Sequence, residues 1–89
     1  MDIDFGYDEF VVLTKSNCRF CLKVKELLKD KSVNIIICDK FLVDKRDEFL
    51  NYIKDLIGYE YKLFPMVFRN KKFIGGYSET YQIISDEDF

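Results

Sequence analysis

The chain has 89 residues, 48% of them hydrophobic and 34% charged, with a net charge of −2. That length predicts a single domain over 1–89 with a modest core, and lysines interleaved with a slight excess of acids give no footprint for nucleic acid. No apolar stretch approaches the ~18 residues of a membrane span, and Met1-Asp2-Ile3-Asp4 lacks the basic and apolar regions of a signal peptide, so a cytoplasmic location is expected.

Glu9 to Thr14 reads as a buried strand (Phe10, Val11, Val12, Leu13) and Lys15 to Asn17 as a turn. Arg19 to Asp30 reads as a helix, in which Phe20, Val24, Leu27 and Leu28 form an i, i+4, i+7, i+8 stripe. Val33 to Cys38 is β-branched and nearly continuous, as expected of a central parallel strand covered on both faces. Asp44 is placed to cap a second helix to about Ile57, with Phe49, Ile53, Leu56 and Ile57 inward and Gly58 at its end. Met66 to Arg69 and Lys72 to Ile74 read as strands joined by a tight turn at Asn70-Lys71, after which Ser78 caps a last helix to about Ser85. The order βαβαββα predicts a right-handed βαβ unit, a hairpin and a covering helix: an α/β domain with a four-stranded mixed sheet flanked by three helices.

Cys18-Arg19-Phe20-Cys21 sets two thiols at i, i+3 between the first strand and the first helix. Cys18 falls at the helix N-terminus, where unpaired N–H groups and the positive end of the macrodipole favour thiolate over thiol. Lys15 and Arg19 add positive charge nearby. A free thiol titrates near ~8.5 and such surroundings bring it to roughly 3.5 to 7.5, so Cys18 is expected to be substantially ionised at neutral pH. Cys21, one turn further on the same face, is placed to attack a mixed disulfide formed at Cys18, which is thiol–disulfide exchange. Two other readings stay open here, half of a zinc site and a buried inert pair. Structural zinc wants four ligands, and the chain has only Cys38 as a third cysteine and no histidine, so no metal is expected. The strand-to-helix context favours the redox pair. Cys38 ends an apolar run and reads as a small hydrophobe of the core or sheet edge. In a reducing cytosol thiols are more often catalytic or metal-binding than structural.

Four ordered pieces resemble the glutaredoxin family of the thioredoxin fold, over about Glu9 to Ser85. They are Lys15 three residues before Cys18, the pair Cys18 and Cys21 at the strand-to-helix turn, Pro65 opening the third strand, and Gly75-Gly76 ending the fourth. The resemblance implies a thioredoxin-like domain and a glutathione-dependent disulfide oxidoreductase in which Cys18 attacks and Cys21 resolves. It implies that Lys15 lies near a glutathione carboxylate and the thiolate, that Pro65 follows a cis peptide, and that Phe64 offers its backbone N–H and C=O to the glutathione cysteinyl unit. Gly76, Tyr77 and Ser78 resemble the segment that receives the γ-glutamyl carboxylate, where free N–H groups at a helix start and a glycine's close approach also suit an anion. Arg19 and Phe20, beside the nucleophile, complete the substrate-binding set. Without the resemblance, Pro65 reads as a trans residue beginning an edge strand, and Gly75-Gly76 as a plain turn or bulge.

The chain departs from the family pattern in places. Arg19 and Phe20 stand where the usual motif, Cys-Pro-Tyr-Cys, has proline and tyrosine, and Leu63-Phe64-Pro65 replaces Thr-Val-Pro. Leu50 stands where many members carry a glutamine for the glycyl carboxylate, with Lys62 or Lys54 as substitutes. The implied co-substrate is glutathione, and the implied partners are glutathionylated or disulfide-bearing proteins, with ribonucleotide reductase one candidate and the protein itself a monomer in electron transport. Two alternatives remain: a carrier of the same fold reduced by thioredoxin reductase, and a dimer sharing an iron–sulfur cluster through the first cysteine and bound glutathione. For the dimer, Arg19 removes the motif proline said to disfavour a cluster but adds bulk that obstructs it. The lack of alanine and tryptophan, with lysine far ahead of arginine, resembles AT-rich coding; for a viral source the compartment would be the host cytosol.

Overall fold

Phe10–Thr14 form β1, and all five residues are buried because both faces of the strand are covered. The computed structural model describes residues 1–87 and sets β1 inside a four-stranded sheet of order β2-β1-β3-β4. β2 (Val33–Ile37) runs parallel to β1, with Thr14 opposite Ile37. β3 (Met66–Arg69) runs antiparallel to β1, with Leu13 opposite Met66, and β4 (Lys72–Gly75) runs antiparallel to β3. Asn70 and Lys71 both have positive φ, which a two-residue hairpin turn matched to strand twist requires.

Alternation along the strands divides the core into two layers. Val11, Leu13, Met66 and Phe68 meet Phe49 and Ile53 of α3 (Arg46–Ile57), beside the short α2 (Asp39–Asp44). Phe10, Val12 and Val67 face the other way, onto Val24 and Leu28 at α1 (Arg19–Leu27) and Ile84 of α4 (Tyr77–Glu87). Burying one such side chain fully contributes about 1.5 to 3 kcal/mol, so these residues anchor the helices to the sheet.

The expected sheet and strand order hold, with four differences in detail. β2 is an edge strand, half-buried along its length with Ile37 66% exposed, because the hairpin pairs with β1 on its other side. A fourth helix, α2, precedes α3, so Asp44 closes a helix, and Lys45 stands at the N-cap of α3 without a side-chain cap. α1 stops at Leu27, three residues before Asp30, and α4 starts at Tyr77, so Ser78 lies inside its first turn. Phe20 and Leu56 belong to apolar stripes but are 49% and 48% exposed, and Phe20 meets Tyr77 of α4 at the rim and not the sheet. Gly58, with φ of 92°, ends α3 by donating its N–H to the Lys54 carbonyl, as expected of a left-handed cap.

This topology decides where a site forms. β1, β2 and β4 end at the rim of the sheet where β3 begins, so the segments 15–18, 38–39, 64–65 and 75–78 gather there. The carboxyl ends of parallel strands are the usual place for a ligand crevice in α/β sheets.

Candidate active site

Asn17 takes a φ of 56°, a left-handed conformation that asparagine tolerates, and turns the chain ahead of Cys18. Cys18 is extended and is the N-cap of α1, and its Sγ accepts the Cys21 N–H at 3.2 Å. A cysteine thus occupies the place usually held by serine or aspartate, with a donor and the helix dipole both aimed at its sulfur. Cys18 and Cys21 are joined by a disulfide with their Cα atoms 5.2 Å apart, so this is the oxidised state. Cys18 is half-buried and Cys21 is 2% exposed, which leaves the first sulfur as the one a substrate can reach.

The residues singled out from sequence reach the same rim but divide between two cavities. Lys15, Cys18, Arg19 and Cys21 line one of about 490 Å³. Phe20, Phe64, Pro65, Gly76, Tyr77 and Ser78 line another of about 230 Å³. Lys15 links them, because its Nζ lies 5.8 Å from the Phe64 ring centroid. The Phe64–Pro65 peptide is cis. The Phe64 ring stacks on Phe49 at 6.2 Å, and Phe49 on Phe41 at 5.6 Å, so the α2–α3 core fixes one wall of the smaller cavity. On the opposite wall Phe20 lies 5.7 Å from Tyr77, with Lys23 Nζ 5.2 and 5.6 Å from the two ring centroids. Leu50 packs against the core and Lys62 pairs with Glu60 at 3.3 Å; neither these two nor Lys54 lines the smaller cavity.

Glu79 is a site residue that the sequence reading missed. Its Oε1 accepts the Gly76 N–H at 2.7 Å, while Thr80 Oγ1 donates to the Gly76 carbonyl at 2.8 Å. The signal was present, since a glutamate three residues after an N-cap is half of a capping box. Gly75 has φ of 123°, and a Cβ there would lie 2.5 Å from Glu79 Oε1, so backbone conformation and space both demand glycine. With Gly76 committed to Glu79, the N–H groups of Tyr77, Ser78 and Glu79 are the first-turn donors left without intrahelical partners. Burial, with the Glu79 charge adding to it, pushes the nearby Tyr61 phenol above its ordinary pKa.

On the other side of the dithiol, Asp39 accepts both the Ser16 hydroxyl and the Ser16 N–H, the latter at 2.8 Å. These bonds, hydroxyl first, hold its carboxyl below the usual range, and the Lys15 charge acts in the same direction. No local pattern at Ser16 signals a partner at the start of α2. Cys38 is fully buried and donates its N–H to the Thr14 carbonyl at 2.8 Å, which fits its reading as a small hydrophobe. Burial, reinforced by Asp39, pushes its thiol up to about 12. Among the described residues, no three His, Cys, Asp or Glu side chains gather into a metal-binding cluster.

The glutaredoxin family model matches residues 10–74 of the chain. A curated relative, "Glutaredoxin-2, mitochondrial" of Pongo abelii, is 27% identical over 73 residues, which are 82% of this chain and 44% of that protein. The chain therefore spans less than half the length of the curated relatives it matches. The crystal structure of glutaredoxin 1 from Francisella tularensis, complexed with cacodylate, superposes with a TM-score of 0.73 at 18% identity, covering 89% of this chain and 93% of that one. A buckwheat glutaredoxin–glutathione complex superposes with a TM-score of 0.69 at 22% identity, covering 90% and 71%. The fold is thioredoxin-like, as these neighbours share it.

Proposed function

The chain belongs to the glutaredoxin family, and from that premise we propose that it is a dithiol thiol–disulfide oxidoreductase with glutathione as its reducing co-substrate. The observation that carries the proposal is the asymmetry of the pair: Cys18 caps a helix and opens on a cavity, while Cys21 lies buried behind it and aims its N–H at the Cys18 sulfur.

In the reduced protein the Cys18 thiolate attacks one sulfur of a substrate disulfide. A bond to Cys18 forms, the substrate S–S bond breaks, and the leaving sulfur takes up a proton and departs as a thiol. On a glutathione mixed disulfide, Cys18 takes the glutathione sulfur and the protein thiol leaves. A second glutathione thiolate then attacks that sulfur, giving glutathione disulfide and free Cys18. On a protein disulfide, Cys21 loses its proton and attacks the Cys18 sulfur, which closes the Cys18–Cys21 bond and releases the second substrate thiol. Two glutathione thiols reopen it and leave as glutathione disulfide. In this reading the cysteinyl unit of glutathione lies along Phe64-Pro65 in the smaller cavity, and its γ-glutamyl carboxylate turns to the N–H groups of Tyr77 and Ser78. Glutathionylated and disulfide-bearing proteins are the proposed partners, with ribonucleotide reductase one candidate and a reducing cytosol the proposed setting.

The test is turnover of a glutathionylated peptide with glutathione and glutathione reductase, and separately with thioredoxin reductase alone. Cys18→Ser abolishes turnover, whereas Cys21→Ser retains the route that needs one cysteine. Equal loss in both variants would overturn the roles given to the two cysteines. Turnover with thioredoxin reductase but none with glutathione would assign the reductase-fed carrier instead.

A further inference from the structure

The cavity that holds both sulfurs is not the one the glutathione reading fills. Of its lining residues three are cations, Lys15, Arg19 and Lys25, and none is acidic, in a chain whose net charge is −2. Among the described residues, none of the three forms an ion pair. Asp39, which accepts the Ser16 hydroxyl and N–H and whose charge acts on Lys15, lies outside the lining. Leu22 and Ile37, each 66% exposed, add an apolar wall. Ile37 ends the edge strand β2, so that side of the cavity is open to an extended chain. A glutathionylated protein is a substrate in two parts joined at one S–S bond, and the rim offers two cavities, the first lined by Cys18 and the second by Phe20 two residues on.

We propose that the larger cavity is the docking cleft for the protein half of the substrate, and that it selects an extended segment carrying Asp or Glu and an apolar side chain beside the reactive cysteine. The acids meet Arg19 and Lys25, with Lys15 left to the glutathione half, and the apolar residue covers Leu22 and Ile37. The proposal rests on thiol–disulfide exchange at Cys18, and the experiment separates the two.

Three glutathione mixed disulfides are compared: one with a peptide whose cysteine is flanked by Asp, Glu and Leu, one with Lys replacing the acids, and one with 2-mercaptoethanol, which has no flanks. The acidic peptide should exceed the basic one in kcat/KM by about five- to tenfold at low salt, in line with several modest exposed ion pairs. That preference should shrink as ionic strength brings the Debye length to ~8 Å and below. Lys25→Glu should remove or invert the preference and Lys25→Arg should keep it, with circular dichroism and melting establishing that each variant is folded. Equal kcat/KM for the two peptides in the unmodified protein would overturn the docking cleft, and so would a preference that survives in folded Lys25→Glu. No turnover of the 2-mercaptoethanol disulfide would instead refute the oxidoreductase reading, and the cleft with it.

Discussion

The three cysteines should differ in reactivity by an amount that follows from their positions. In the reduced protein, alkylation by iodoacetamide at pH 7 depends on thiolate fraction, on intrinsic nucleophilicity and on access. Cys38, whose thiol is pushed up to about 12, has roughly one thiolate in 10⁵ at neutral pH. Cys18, with a helix-terminal thiolate in the range of roughly 3.5 to 7.5, would be at least ~20% ionised. Nucleophilicity falls with pKa by a Brønsted coefficient of about 0.4 to 0.5, so thiolate fraction and nucleophilicity together leave Cys18 about five- to five-hundredfold faster. Burial widens the gap, since Cys38 is 0% and Cys21 2% exposed. Intact mass against time should show one fast adduct, and digestion should place it on Cys18. Cys21→Ser keeps the fast adduct and Cys18→Ser loses it. Modification of Cys38 at a comparable rate, or of Cys21 first, would refute the assignment of the accessible thiolate.

Three further outcomes are expected. Phe49→Ala removes a fully buried ring and should cost about 3 to 5 kcal/mol in urea unfolding, whereas Leu56→Ala, at a half-exposed position, should stay within about 0.5 kcal/mol; matching losses would refute the account of the α3 face. Asp39 is depressed below its ordinary 3.8, so its contribution to stability is present above that pH and lost as pH falls through the depressed value. Ser16→Ala should move the Asp39 titration back towards 3.8 in carboxyl ¹³C spectra, and an unchanged curve would show that the Ser16 hydroxyl is not responsible. Cys38 is raised from 9.0 to about 12, so the folded state favours its neutral form, and that contribution is complete below about pH 9 and lost as pH rises towards 12. The stability gap between the unmodified protein and Cys38→Ala should therefore narrow across that window, and a constant gap would contradict the buried neutral thiol.

What could be read from sequence was local. The buried run Phe10–Thr14, the thiol pair at a strand-to-helix turn, the Asn70-Lys71 turn and the Gly58 cap each depend on neighbouring residues, and all are present. β2 lies at the edge and not the centre because an apolar β-branched run has the same composition in either place, and only the pairing of β1 with β3 decides between them. Leu56 is expected inward and is half-exposed, because helical periodicity identifies an apolar face without saying whether anything covers it. The site residues divide between two cavities, and Phe20 joins the second by meeting Tyr77, a contact between the first and last helices that spacing cannot reveal. Asp39 escaped notice for a similar reason, since its partner Ser16 comes from a loop on the neighbouring strand.

Gly75 and Glu79 are bound together as a single heritable unit. Any side chain at position 75 would displace the carboxylate that holds the Gly76 N–H, besides straining a backbone at φ of 123°. In a library randomised at both positions, survivors with a larger residue at 75 should carry a shorter one at 79. Glu79 should drift freely only where glycine is kept. The mouth of the smaller cavity would then evolve by paired steps, while Tyr77 and Ser78 between them vary one at a time.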